Sequence, residues 1–156
     1  MSPEGRRRRP KPVRDCALTL LEYRDRTEQE MRRKLKERQY DPEEIEKTIA
    51  FLIEYHYIDD REYVRRYVRT HSNRKSVRRI CGELEQRGVR RDLIEEGLAE
   101  ITVDEEAQIV AWIRKKGCIP GEHLEADQYR RLMAGLGRRG YSYDAIRRVM
   151  DGDERA

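Results

Sequence analysis

Apolar residues recur along this chain at intervals of three and four, in three blocks that align with one another without a gap: 31–49, 80–98 and 132–150. Met31, Ile80 and Leu132 share a column, as do Leu35, Leu84 and Leu136. Further on, Tyr40, Val89 and Tyr141 align, then Ile45, Ile94 and Ile146, then Ile49, Leu98 and Met150. An i, i+4 spacing puts such pairs on one helix face. The blocks are offset by 49 and 52 residues, a period that belongs to helical repeat proteins.

Each block reads as helix, turn, helix. Thr27-x-x-Glu30 is a capping-box pattern that opens the first helix. Asp41 and Pro42 supply an N-cap and a first-turn proline for the next, which carries Ile45, Ile49 and Leu52. Gly88 and Gly140 stand where a helix ends in the left-handed conformation, and Gln39 holds that column in the first block as a weaker stop. Asp92-x-x-Glu95 and Ser142 mark the following helix starts. A further helix precedes each pair, striped by Ala17, Leu18 and Leu21, by Tyr63, Val64, Tyr67 and Val68, and by Ile109, Val110 and Ile113. Asp60 and Asp104 are the expected caps of the latter two.

The expectation is an all-α fold of three tandem three-helix repeats, elongated or curved because each unit buries one stripe and leans on its neighbour. The expected boundaries are a basic arm over 1–14, repeats over 15–59, 60–102 and 103–151, and a tail over 152–156. The loop 117–126 is the longest interruption. Composition agrees: 42% charged and 37% hydrophobic residues suit thin helical units better than one large core.

The net charge of +4 is unevenly placed. Residues 1–14 hold Arg6, Arg7, Arg8, Arg9, Lys11 and Arg14 against Glu4 alone, with Pro10 and Pro12 keeping the base of the arm extended. Such an arm is a candidate for contact with nucleic acid or an acidic surface, and equally for a solvated tail. A second concentration runs from Asp60 to Cys81, where Arg61, Arg65, Arg66, Arg69, Arg74, Lys75, Arg78 and Arg79 face only Asp60 and Glu62. Arg65 and Arg69 share a helix face, and Arg78 and Arg79 open the next helix. These side chains are the candidate contacts with phosphates or acidic protein. Tyr63 and Tyr67, at the spacing of Val64 and Val68, read as core rather than as stacking platforms.

Catalytic chemistry is not visible. His56, Asp59 and Asp60 are too few for a metal site; the simpler reading packs Tyr57 and Ile58 at a junction and uses the acids as caps. His71 and His123 are isolated and expected to be exposed, and no phosphate-binding glycine loop occurs. Neither enzyme activity nor a cofactor is expected. No apolar run approaches the roughly 20 residues of a membrane span. Three scattered cysteines, Cys16, Cys81 and Cys118, suit reduced, buried thiols in a cytoplasmic protein.

Residues 17–68 resemble the RecX family: an Ala17-Leu18-x-x-Leu21 helix, Arg26-Thr27-x-x-Glu30-Met31, Leu35, Leu52, and Tyr57-Ile58-Asp59-Asp60. Ile80-x-x-Glu83-Leu84-x-x-Arg87-Gly88-Val89 is similar to that family's second block, and Arg138-Arg139-Gly140-Tyr141-Ser142-Tyr143-x-x-Ile146 to its C-terminal block. One departure is Lys75-Ser76, where the family usually has a glycine near the start of the middle helix of the second repeat. The resemblance implies tandem three-helix repeats. It also implies a monomeric regulator that binds the RecA recombinase in its filament on DNA and dampens recombinase and ATPase activity in recombination and repair. A double-stranded DNA binder of helix-turn-helix type and a protein-interaction scaffold are the alternatives.

Overall fold

The structure is a computed structural model that describes residues 10–152. Among the described residues it contains nine α-helices and no strand. The chain divides into two compact units at Tyr63 and Val64.

The first unit holds α1 (Val13–Tyr23), α2 (Glu28–Glu37) and α3 (Pro42–Glu54). Thr27 forms the expected capping box: its hydroxyl accepts from the Glu30 N–H at 3.1 Å, and the Glu30 carboxylate accepts from the Thr27 N–H at 3.2 Å. Asp41 caps α3, with Pro42 at its first position. Met31, Leu35, Ile45, Ile49 and Leu52 meet Cys16, Ala17 and Leu20 of α1 in one core, and Ile58 joins it from the turn after α3. Arg26 is buried at the head of α2 and donates through Nε to the Leu20 carbonyl near the end of α1, which also accepts from the Arg24 N–H.

The second unit holds the remainder of α4 (Asp60–His71), then α5 (Val77–Gln86), α6 (Arg91–Ala99), α7 (Glu105–Lys115), α8 (Ala126–Arg138) and α9 (Tyr143–Met150). In α4, Val64, Tyr67 and Val68 are buried, and Gly97 of α6 lies so close to Val64 that a Cβ there would come within 2.4 Å of its Cγ1. The third repeat closes on Ile109, Ile113, Leu132, Leu136, Ile146 and Met150. Ser142 caps α9 and Asp104 caps α7, as expected.

The helix stops follow one rule. Gln39, Gly88 and Gly140 all have positive φ, of 63°, 80° and 91°. After each, an N–H reaches back to the carbonyl five residues earlier: Tyr40 to Leu35, Val89 to Leu84 and Tyr141 to Leu136. That bond satisfies an orphan carbonyl at the helix end. His56 and Gly117 close α3 and α7 in the same way, through Tyr57 to Leu52 and Cys118 to Ile113, and neither stop was expected from sequence.

Four expectations are corrected. Asp59, not Asp60, caps α4, accepting from the Glu62 N–H at 3.2 Å. Arg90 stands before α6 without a side-chain cap, and Asp92 lies inside the first turn. Tyr57 is exposed and stacks on Phe51, so only Ile58 packs at that junction. His71 is half-buried against the Tyr67 ring, 4.3 Å between centroids, rather than exposed.

Candidate binding surface

The basic run of the second repeat lies on α4, on the turn 72–76 and on the first turn of α5. Ser76, at the position where sequence raised a doubt, is fully buried and caps α5, accepting from the Arg79 N–H at 3.2 Å. Its hydroxyl also donates to the Arg139 carbonyl at 2.8 Å. From α7, the Gln108 side-chain amide donates to the carbonyls of Ser72 and Lys75 at 2.8 and 3.0 Å. The Gln108 carbonyl in turn accepts from the Tyr141 hydroxyl at 2.6 Å. The Val77 N–H donates to Glu105 at 2.9 Å. The turn that carries Arg74 and introduces Arg78 is thus fixed by the third repeat, through polar groups that are themselves buried and satisfied.

Six of the seven candidate side chains separate into two sets. Lys75 and Arg79 converge on Glu83, at 2.7 and 3.2 Å, and the Tyr67 hydroxyl donates to the same carboxylate. The Arg87 guanidinium lies 4.7 Å over the Tyr67 ring. Burial works to raise the Glu83 carboxyl, but the hydrogen bonds from Lys75, Tyr67 and Arg79 outweigh it and hold its pKa at about 2. His71 borders this cluster, and burial together with Lys75 lowers its pKa below the ordinary imidazole value. Arg65 pairs with Glu100 at 3.0 Å. Lys75, Arg79 and Arg65 therefore spend much of their charge inside the protein.

Arg69, Arg74 and Arg78 are the other set. All three are exposed, and no acidic side chain among the described residues pairs with them. Arg66 is exposed beside Arg65. Sequence spacing grouped all seven on charge alone; of the ion pairs that divide them, Arg79–Glu83 is an i, i+4 pair that spacing does offer, whereas Arg65–Glu100 joins residues 35 apart.

Of the arm, Arg6, Arg7, Arg8 and Arg9 lie outside the described residues. Lys11 is exposed, and its carbonyl accepts from the Tyr40 hydroxyl at 2.7 Å, which ties the base of the arm to the first repeat. Arg14 lies within α1, its guanidinium 3.7 Å over the Phe51 ring. No cluster of three or more potential metal ligands occurs among the described residues, and none of the described helices is long and apolar enough to cross a membrane.

Three family models match the chain in tandem: the first three-helix domain of RecX over residues 14–52, the second over 59–98 and the third over 104–150. The regulatory protein RecX of Clostridium botulinum (strain Eklund 17B / Type B) is 32% identical over 88% of this chain, which spans 66% of that relative's length. The regulatory protein RecX of Salmonella heidelberg (strain SL476) is 34% identical, with 91% of this chain and 93% of the relative covered. The crystal structure of RecX from Lactobacillus salivarius superposes with a TM-score of 0.72 over 90% of this chain and 93% of its own; at 24% identity that likeness speaks to the fold. A second crystal structure, of a regulatory protein RecX, gives 0.73 at 27% identity over 91% of this chain and 72% of its own.

Proposed function

Because the chain belongs to the RecX family of regulatory proteins, we propose that it binds RecA and the RecA filament on DNA and inhibits recombinase and ATPase activity there. It acts by occupying a surface, not by catalysis. The observation that supports this reading is the set of exposed arginines without acidic partners, Arg69, Arg74 and Arg78, held by a turn whose backbone is fixed. Guanidinium groups presented from a rigid element lose little freedom on binding and suit both phosphate and carboxylate acceptors. A filament of protein on DNA offers both.

Arg65, Lys75 and Arg79 play a supporting part, since their partners Glu100 and Glu83 already neutralise them locally. Arg66 adds to the surface beside them. Arg6, Arg7, Arg8, Arg9 and Lys11 of the arm, with Arg14 in the first turn of α1, add positive charge at the N-terminal end, where phosphate contact would make binding depend on salt.

The test compares the parent with Arg69, Arg74 and Arg78 all changed to Glu, in an assay of RecA ATPase and strand exchange on single-stranded DNA. Like-charge contact at the interface should weaken inhibition by at least about tenfold. Arg90 and Arg91, exposed on the same unit, changed to Glu provide a control of similar charge that should inhibit normally. Full inhibition by the triple variant, with its helical content retained, would reject the assignment. Loss of binding to bare duplex DNA in the triple variant, with inhibition of RecA intact, would favour the direct DNA-binding alternative.

A further inference from the structure

A second group of basic side chains lies on the third repeat. A cleft of about 290 Å³ runs beside Trp112, between α7 and α8. Its apolar wall is formed by Trp112, Leu132 and Gly135, and Lys116, Arg131 and Arg138 stand around it. No acidic residue lines it. Gly135 is what brings helix and indole together, because a Cβ at that position would lie 2.9 Å from the ring. The Lys116 ammonium and the Arg139 guanidinium lie over the indole at 5.3 and 5.4 Å.

Lys116, Arg131, Arg138 and Arg139 have no acidic partner among the described residues. Basic groups nearby do: Arg130 pairs with Asp127 at 3.4 Å, Arg147 with Asp151 at 3.2 Å and Arg148 with Glu106 at 2.7 Å. Three unpaired cations round one cleft, with Arg139 over the adjoining indole, repel one another, and an anion in their midst relieves that cost. Trp112 is only half-buried at this cleft, so part of its ring is open to an apolar group as well as to an anion. Carboxylates on a peptide would meet these cations directly, and a guanidinium–carboxylate contact is a strong, charge-assisted one.

We propose that this cleft binds an acidic protein segment, with one apolar side chain seated against Trp112 and Leu132 and flanking Asp or Glu carboxylates meeting Arg131, Arg138 and Lys116. A central aromatic anchor ringed by arginine is the usual composition of an energetic centre in a protein interface. The chemistry of the cleft stands whether or not RecA is the partner of the second-repeat arginines.

Trp112 is the chain's single tryptophan, so its fluorescence reads this cleft alone. The probe is an acetylated synthetic peptide in which one leucine is flanked on both sides by aspartate and glutamate, titrated into the full chain. A saturable change in emission is expected. Changing Arg131 and Arg138, both exposed, to Glu should weaken it by at least about tenfold while leaving the helical spectrum intact. A peptide with Asn and Gln in place of the acids should bind at least about tenfold more weakly, since neutral hydrogen bonds are weaker than charge-assisted ones. The triple variant at Arg69, Arg74 and Arg78 should respond as the parent does, which separates this site from the one above. An unchanged emission, an equal response to the neutral peptide or in the Arg131/Arg138 variant, or a response to oligothymidylate but not to the acidic peptide would each overturn the proposal.

Discussion

The backbone N–H of Glu28 donates to the Asp60 carboxylate at 2.9 Å, across 32 residues of sequence. Glu28 is the first residue of α2, where backbone donors have no partner within the helix. The acid that follows Asp59, the cap of α4, thus secures the start of a different helix. Thr27 and Glu30 satisfy their own end of α2, and Asp60 supplies one acceptor they cannot.

Changing Asp60 to Ala should therefore destabilise the first repeat although α4 keeps its own cap. The loss should be about 1 kcal/mol, as for removal of a helix cap. For a chain of this size that lowers the melting temperature by about 2–4 °C. Asp60→Asn, which retains a side-chain carbonyl, should recover most of it. Thermal circular dichroism of the two variants decides the point; equal and unshifted transitions would remove Asp60 from the account.

Gly140 and Gly82 should respond in opposite directions to alanine. Gly140 has φ 91°, and an added Cβ would lie 2.6 Å from the Ser76 hydroxyl, so Gly140→Ala should cost more than about 1 kcal/mol. Gly82 is inside α5 with nothing within 4 Å of its Cβ position, so Gly82→Ala should stabilise by about 0.5–1 kcal/mol through helix propensity. Urea denaturation of both variants measures the contrast.

Glu83 sets a pH signature. Its folded-state pKa of about 2 is depressed from the ordinary 4.5, so the stability it contributes is complete above pH 4.5 and disappears as the pH falls towards 2. His71, lowered mainly by burial, adds its own loss of stability on the acid side of 6.5. That second loss is larger in Glu83→Gln than in the parent, because the Glu83 carboxylate raises the His71 pKa against burial and Lys75. The difference in melting temperature between those two proteins should thus persist or widen from neutrality to pH 4.5, then narrow as the pH falls towards 2. A difference that stays constant over that range would contradict the network around Glu83.

Two deletions separate the roles of the arm. Removing residues 1–9 should leave the melting temperature unchanged, whereas removing 1–12 also deletes the Lys11 carbonyl that Tyr40 engages and should cost about 1 kcal/mol. If the arginines of the arm meet phosphates, the shorter deletion should already flatten the dependence of DNA binding on salt. An unchanged slope would assign them to solvent.

The repeat itself was legible in the sequence because its signals are local. The columns Leu35/Leu84/Leu136 and Ile45/Ile94/Ile146 are buried in all three units, and Thr27, Asp41, Asp104 and Ser142 cap where their spacing places them. Gln39 shows how strongly the column speaks: it adopts the left-handed conformation that glycine takes in the other two units. What sequence misassigned depends on which partner a side chain takes, near or far. Asp60 looks like a cap of α4 until Glu28 is seen beside it. His71 looks isolated until Tyr67 folds against it. In the basic run, Arg65, Lys75 and Arg79 are set apart from Arg69, Arg74 and Arg78 because Glu83 and Glu100 engage them. The Trp112 cleft was invisible for the same reason, since Lys116 and Arg138 are 22 positions apart and no periodicity links them.

Gln108 gives the arrangement of repeats a further meaning. By gripping the carbonyls of Ser72 and Lys75, it makes the pose of Arg74 and Arg78 a property inherited from a segment more than thirty residues downstream. The second and third repeats are therefore not interchangeable modules, despite their common ancestry of pattern. A second repeat transplanted without its successor would keep every arginine and lose the frame that aims them. Drift at Gln108, Tyr141 or Gly140 would retune the basic surface without touching a single charge on it.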